Sequence, residues 1–298
     1  MGTDSMENFI SQAPELAEPL AELARFAWES APELCKPEHQ CLDYHRSWSL
    51  VRLLLGNGRL PAGKAFFEKA FARIAGHGGT RVLVSGGADH GLSSIVLNAY
   101  RAVGVEPDIV FADRCATSCE INARFANANG ANIQIVVSDI CDLDIVPVDA
   151  VVAHSFLPFF EGEKRQAVLD AWNRNTRMGG AVLISNVLKC SEADWVTQKN
   201  SGALLERSEK LLQSALSAGY PIEVAHEMVE SAQRFWRMSP GRPPGLTENN
   251  LRAGLERAGF DDIAIQYSDV GVNDGPIAMV RERLEGRARA EVRAVKKR

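Results

Sequence analysis

Five short apolar runs, each closed by small or polar residues, constrain this chain more than any other feature. They are RVLVSGG from Arg81, PDIVFADR from Pro107, IQIVVSD from Ile133, VDAVVAHS from Val148 and AVLISN from Ala181. Near-continuous apolar runs suit strands buried on both faces of a parallel sheet. Helical spacing over 92–103, 117–128 and 164–177 supplies the connections between them. Strands alternating with helices in this way fold as a doubly wound α/β sheet. Arg177-Met178-Gly179-Gly180 reads as the turn that closes the last of these helices.

The flanks have a different character. Residues 1–78 read as helical: 14–29 sets Leu16, Leu20, Leu23 and Phe26 at helical spacing, and 42–55 and 62–74 follow the same pattern. Glycines within 76–79 end it. This gives an N-terminal helical lid segment over 1–78. A Rossmann-like domain follows over 79–298, with a helical insertion at about 191–245. In the insertion, 204–218 is a helix and SPGRPPG at 239–245 a loop. Thr247 then caps a helix over 248–258 that Gly259 ends. IAIQYSDV and PIAMVRERL read as two closing strands joined by a turn around 271–275, and the basic stretch 287–298 as a solvated tail. A length of 298 residues accommodates one large α/β domain with this helical addition.

Charge and composition exclude several classes. A net charge of -5 argues against a nucleic-acid partner, which usually requires a basic surplus. No apolar run reaches the ~20 residues of a membrane span, and the acidic, polar MGTDSMENFI is no signal peptide. The six cysteines form no CxxC pair. Cys115 and Cys119 fall on one helix face, but no further Cys or His stands beside them at zinc-ligand spacing, so no metal is expected. Reduced thiols and a cytoplasmic location are the simple expectation; the oligomeric state, including a homodimer, stays open.

The chemistry concentrates where the apolar runs end. Ser85-Gly86-Gly87-Ala88-Asp89 follows the first run; glycines there let a ligand approach the backbone and face a helix N-terminus. Ligands of open α/β sheets bind at the carboxyl ends of the strands. Asp113 ends the second run, where a carboxylate can hold ribose hydroxyls. Asp139 follows the third, where it can accept from an adenine amino group while Ile140 covers the ring. Each acid alone serves equally well as a helix cap.

Together these residues resemble the core of class I S-adenosylmethionine-dependent methyltransferases. The likeness runs from residue 81 to 186. The glycine loop is similar to their motif I, Asp113 to the acidic ribose ligand and Asp139 to the adenine position. RMGGAVLISN resembles the turn before their fifth strand, and LTENNLRAGLERAGFDDIAI their closing helix and sixth strand. The resemblance covers about two-thirds of the chain. It implies a seven-stranded sheet ordered 3-2-1-4-5-7-6 with an antiparallel last strand. It also implies S-adenosyl-L-methionine as donor, S-adenosyl-L-homocysteine as product, and a donor site of Ser85, Gly86, Gly87, Ala88, Asp89, Asp113, Arg114, Asp139, Ile140, His154 and Ser155, over which the N-terminal helix face bearing Tyr44 is suited to close. Two departures stand out: Val84 lies where the family carries an acid, and the loop is GGADHG instead of GxGxG, so Asp89 or loop carbonyls take over orientation of the donor's amino group.

Acceptor-side candidates flank the fourth run. His154 at its end is a general base or a hydrogen-bonded core histidine. Phe156, Phe159 and Phe160 form a pocket wall or core packing. Tyr44, Trp48 and Arg52 share a helix face beside His45, suited to closing over the donor or to packing on the core. Arg234 and Arg237 beside Trp236 suit bidentate recognition of a carboxylate, or else a solvated helix. The combined expectation is methyl transfer to a small carboxylate-bearing acceptor. An amino acid or specialised metabolite fits, with S-, N- or O-methylation, including S-methylation of methionine. The alternatives are an NAD(P)-dependent oxidoreductase on a related sheet and a non-catalytic subunit that binds S-adenosylmethionine.

Overall fold

The computed structural model describes residues 20–56, 63–189, 201–238, 246–268 and 287–297. Its centre is a seven-stranded sheet of order β3-β2-β1-β4-β5-β7-β6. The strands are β1 (Arg81–Ser85), β2 (Asp108–Asp113), β3 (Ile133–Val137), β4 (Val148–His154), β5 (Thr176–Lys189), β6 (Phe260–Ser268) and β7 (Arg287–Lys296). β1 to β5 pair in parallel, while β7 runs antiparallel to both β5 and β6.

Helices cover both faces. α1 (Leu20–Leu34), α2 (Leu42–Gly56) and α3 (Lys64–Gly76) precede the sheet; α4 (Gly91–Arg101), α5 (Ala116–Asn129) and α6 (Gly162–Asn175) connect its strands. α7 (Ser201–Ser217) and α8 (Ile222–Met238) follow β5, and α9 (Glu248–Arg257) precedes β6. One face buries Phe67 and Phe71 of α3, Ile95 and Tyr100 of α4 and Phe125 of α5 against Val82, Val84 and Phe111. The other buries Trp172 of α6 and Leu251 and Leu255 of α9 against Val182, Ile184 and Val292. Thr247 caps α9 by accepting from the Asn250 N–H, as its position after the apolar-poor loop suggests.

A third core sits outside the sheet. Leu50, Val51 and Leu54 of α2 pack with Trp28 of α1, Leu211 and Ala215 of α7, and Met228, Ala232 and Phe235 of α8. The N-terminal helices and the insertion thus form one outer helical layer. α3 belongs to the sheet core instead, against α4. α8 was not legible as a separate helix, yet Ala225, Met228, Val229, Ala232, Phe235 and Trp236 repeat at helical spacing on its buried side.

Two expectations are corrected. The stretch from residue 287 is no tail: it is β7, inserted between β5 and β6. Ala290, Val292 and Ala294 are fully buried, while arginines and Glu291 alternate with them, so a period-two strand lies under a basic composition. PIAMVRERL lies outside the described residues. The Arg177-Met178-Gly179-Gly180 segment is not a free turn after α6 but part of β5, whose register jumps from Val148↔Thr176 to Ala150↔Ala181. Gly180 makes this bulge feasible, because a Cβ there would stand 2.9 Å from the Asp149 carbonyl oxygen. Val292→Ala is expected to lower unfolding free energy by about 2 kcal/mol, through lost burial and the space left behind. A residue of a solvated tail would move it by less than about 0.5 kcal/mol; urea denaturation distinguishes the two.

Candidate functional site

The carboxyl ends of β1, β2 and β4 converge on the glycine loop. Gly86 adopts φ 72, and its N–H donates to the Ala112 carbonyl of the adjoining strand at 2.8 Å. A Cβ on Gly86 would meet the Phe156 ring at 2.4 Å, so only glycine lets that ring lie on the loop. The Gly87 N–H donates to Asp113 Oδ2 at 3.2 Å, and the Cys115 N–H to Asp113 Oδ1 at 2.8 Å. Asp113 therefore joins the first and second strand ends through one carboxylate. A carboxylate oxygen has a second lone pair, so acceptor capacity remains for a ligand hydroxyl. Burial pushes the Asp113 carboxyl above its ordinary range, against the opposing pull of the His45 charge and the two N–H bonds.

Asp89 anchors the loop from the other side. Its Oδ1 accepts from the Gly91 N–H at 2.9 Å at the start of α4, and its Oδ2 stands 3.0 Å from Arg52 Nε. Arg52 and Asp89 are only 7% and 4% exposed. Arg52 Nη2 also lies 3.4 Å from His90 Nε2. Asp139 is exposed and accepts from the Cys141 N–H at 2.9 Å, capping a short 3-10 turn, while Ile140 beside it is buried. The cap and the ligand role are compatible, since the cap occupies only Oδ1.

At the β4 end, Ser155 takes a left-handed φ of 51 and its N–H donates to the Ser185 carbonyl at 2.7 Å. His154 Nε2 stands 3.2 Å from Arg289 Nη1, which also donates to Ser185 Oγ at 3.1 Å. A guanidinium has no acceptor, so in this bond His154 Nε2 is the acceptor. An aromatic group closes this edge. The Tyr44 ring centroid lies 5.1 Å from Phe235, 5.9 Å from Trp48 and 5.9 Å from Phe159. It joins α2, α8 and the turn after β4.

No family model matches the sequence, and no curated protein does. Solved structures do. An S-adenosylmethionine-dependent methyltransferase, SibL, in its apo form is 14% identical with a TM-score of 0.51, over 99% of this chain and 70% of that one. A phosphoethanolamine N-methyltransferase 2 of Haemonchus contortus, in complex with phosphomonomethylethanolamine and S-adenosylhomocysteine, is 12% identical with a TM-score of 0.53, over 88% and 59%. The [4+2]-cyclase SpnF is 15% identical with a TM-score of 0.50, over 83% and 93%. The chain has the class I S-adenosylmethionine-dependent methyltransferase fold.

Within this methyltransferase fold, Gly86, Gly87, Ala88, Asp89 and Asp113 come together at the loop, and His154, Ser155 and Phe156 at the neighbouring strand end. Ser85 is buried and accepts from the Trp172 indole N–H at 2.8 Å, which ties β1 to α6. Other expected residues are committed elsewhere. Arg52 is buried against Asp89 of the glycine loop. His45 is buried with Nδ1 3.7 Å from Cys35 Sγ. Arg114 is exposed and donates to the His39 carbonyl at 3.3 Å. Arg234 pairs with Asp43 at 3.0 Å on the outside of α8, and Arg237 is exposed. Trp236 is buried with Arg207 over its ring at 4.2 Å; Phe235, not Trp236, meets Tyr44 and Trp48.

Sequence reasoning misses Arg289, because the basic composition of 287–298 suggests a solvated tail. It also misses Asn186, which is fully buried with neither amide atom bonded among the described residues. It misses the meeting of Cys35, Cys41 and His45 with Cys115 as well. Cys119, expected beside Cys115, faces the Asp113 carbonyl at 3.5 Å; burial, reinforced by the Asp113 charge, pushes its thiol up to about 12. The Arg52–Asp89 pair gives a direct test. Arg52→Met leaves a buried carboxylate unpaired and is expected to cost about 3–5 kcal/mol. Adding Asp89→Asn should recover most of that loss, and a single variant with wild-type denaturation midpoint would show the pair to be dispensable.

Proposed function

We propose that this protein is an S-adenosylmethionine-dependent methyltransferase acting on a small acceptor that carries a carboxylate. The observation that carries the reading is the Asp113 carboxylate bonded to the glycine-loop N–H of Gly87, with Asp139 at the next strand end. Asp113 would hold the ribose hydroxyls, Asp139 the adenine amino group, and Ile140 would pack on the ring. Bound there, the donor's sulfonium supplies an already activated methyl group.

The acceptor would enter between the aromatic group of Tyr44, Trp48, Phe159 and Phe235 and the ends of β4 and β5. The outer layer of α1, α2, α7 and α8 would act as the lid, excluding water and holding the acceptor in a near-attack position. Arg289 takes the role first assigned to Arg234 and Arg237. Arg289 is 8% exposed beside the end of β4, and a guanidinium is suited to a carboxylate partner. When an acceptor carboxylate draws Arg289 away, His154 Nε2 becomes available to accept a proton from an amine or hydroxyl acceptor. A thioether acceptor has no proton to lose and would use His154 only for position. The buried amide of Asn186 suits a polar group of the acceptor. A nicotinamide oxidoreductase is less well supported: its sheet is commonly ordered 3-2-1-4-5-6, without the antiparallel insertion of β7 seen here.

Two measurements test this reading. In calorimetry, S-adenosylhomocysteine should bind and NAD should not. Asp113→Ala and Asp139→Ala should each weaken that binding roughly tenfold or more, the loss of a hydrogen bond to a charged group. Unchanged affinity in both variants would remove the donor site. Once incubation of labelled donor with a metabolite extract has identified the acceptor, single-turnover transfer tests the edge. His154→Ala should slow a proton-losing reaction by about 10²–10⁴-fold at unchanged donor affinity. A wild-type rate in that variant at every pH would leave His154 a structural role only.

A further inference from the structure

We propose that Cys35, Cys41, Cys115 and His45 bind a structural zinc ion that clamps the outer helical layer to the loop presenting Asp113. Their ligand atoms all lie within 4.8 Å of one another. Cys115 Sγ is 3.6 Å from both Cys35 Sγ and Cys41 Sγ, and His45 Nδ1 is 3.7 Å from Cys35 Sγ. Zinc holds sulfur at about 2.3 Å and imidazole nitrogen at about 2.0–2.1 Å in a tetrahedron, so its ligand atoms stand roughly 3.5–3.8 Å apart. The Cys115–Cys35, Cys115–Cys41 and His45–Cys35 separations match edges of such a tetrahedral S₃N site, and the remaining separations stay within 4.8 Å.

The chain builds this arrangement from three places. Cys35 follows α1; a 3-10 turn over Pro37–His39 and a left-handed Gln40 (φ 50) reverse the chain to Cys41. His45 lies one helical turn further on, at the i+4 position that faces the same way. Cys115 comes from the turn between β2 and α5. Thr117 Oγ1 stands 3.2 Å from Cys35 Sγ, placed to donate to a thiolate. Cys35, His45 and Cys115 are buried, and four protein ligands leave no open position, the signature of a structural and not a catalytic zinc.

Disulfide chemistry accounts for the cluster less well. A bridge needs about 2.05 Å between sulfurs, and three thiols leave one without a partner. A hydrogen bond accounts for the contact of His45 Nδ1 with Cys35, but not for three thiols and an imidazole from separate elements gathered within 4.8 Å of one another. The consequence for the donor site is direct, since the Cys115 N–H bonds Asp113 and Asp113 bonds the glycine loop. Removing the ion frees α1, α2 and that turn together. The assignment rests on the four ligands and does not depend on the methyltransferase reading.

The test is elemental analysis of the full chain purified without chelator. About one zinc per chain is expected, lost in His45→Ala and Cys115→Ser and kept in Cys141→Ser. Cobalt replacement in the wild type, which needs no variant to fold, should give tetrahedral ligand-field bands and cobalt–thiolate charge-transfer absorption. Chelation should lower the Tm. Wild-type protein that carries no zinc and develops no cobalt–thiolate absorption would overturn the proposal. So would zinc retained in both ligand variants, another element in its place, or a disulfide among the three cysteines in the mass spectrum.

Discussion

The pairing of Arg52 with Asp89 joins α2 of the outer helical layer to the glycine loop of the sheet. Both side chains are removed from water, a loss that only close geometry and further hydrogen bonds offset. Asp89 meets that requirement by also accepting from Gly91 at the start of α4. The glycine loop, the α4 N-terminus and α2 therefore form one unit. If α2 lifts away, a carboxylate is left buried beside the most constrained turn of the sheet. The outer helical layer is for this reason part of the site's architecture, not an appendage to it.

The same economy runs along the carboxyl edge. The sheet interior is apolar on both faces, yet Ser85, Asp113, Ser185, Arg289 and Glu291 collect where the strands end. Each has a partner from a different element: Trp172 for Ser85, the loop N–H groups for Asp113, Arg289 for Ser185, and Gln266 for Glu291. Buried polar groups so arranged fix strand ends against one another, because a shift in any one would break a bond in a low-dielectric setting. Asn186 stands apart within this set, its amide atoms without bonds among the described residues. An edge this polar and this well fixed is what a reaction needs if water is to be excluded and charge placed in advance.

Much of this was legible residue by residue. The apolar runs marked β1 to β5 because both faces of a parallel strand are buried. Asp113 and Asp139 were legible because a strand end fixes where the next side chain emerges. β7 was not: its arginines and Glu291 mask the alternation of Ala290, Val292 and Ala294, and basic composition at a chain end suggests solvent. α8 hid in the same way, its apolar stripe diluted by a polar opposite face. Tyr44, Trp48 and Arg52 were legible as a helix face, but not what that face would meet.

The sequence by itself determined β1 to β5 with their connecting helices, the sheet's topology class and the acids at its strand ends, since these depend on local periodicity and on neighbours a few residues apart. Tertiary structure alone decided which side chains share a partner. Arg52 finds Asp89, Arg289 finds His154, and Cys115 finds two cysteines and a histidine from the N-terminal helices. These meetings join residues far apart in the chain, where no periodic signal carries. They are fixed by how helices pack on the sheet, because burial leaves each polar group only the partners that packing brings within reach.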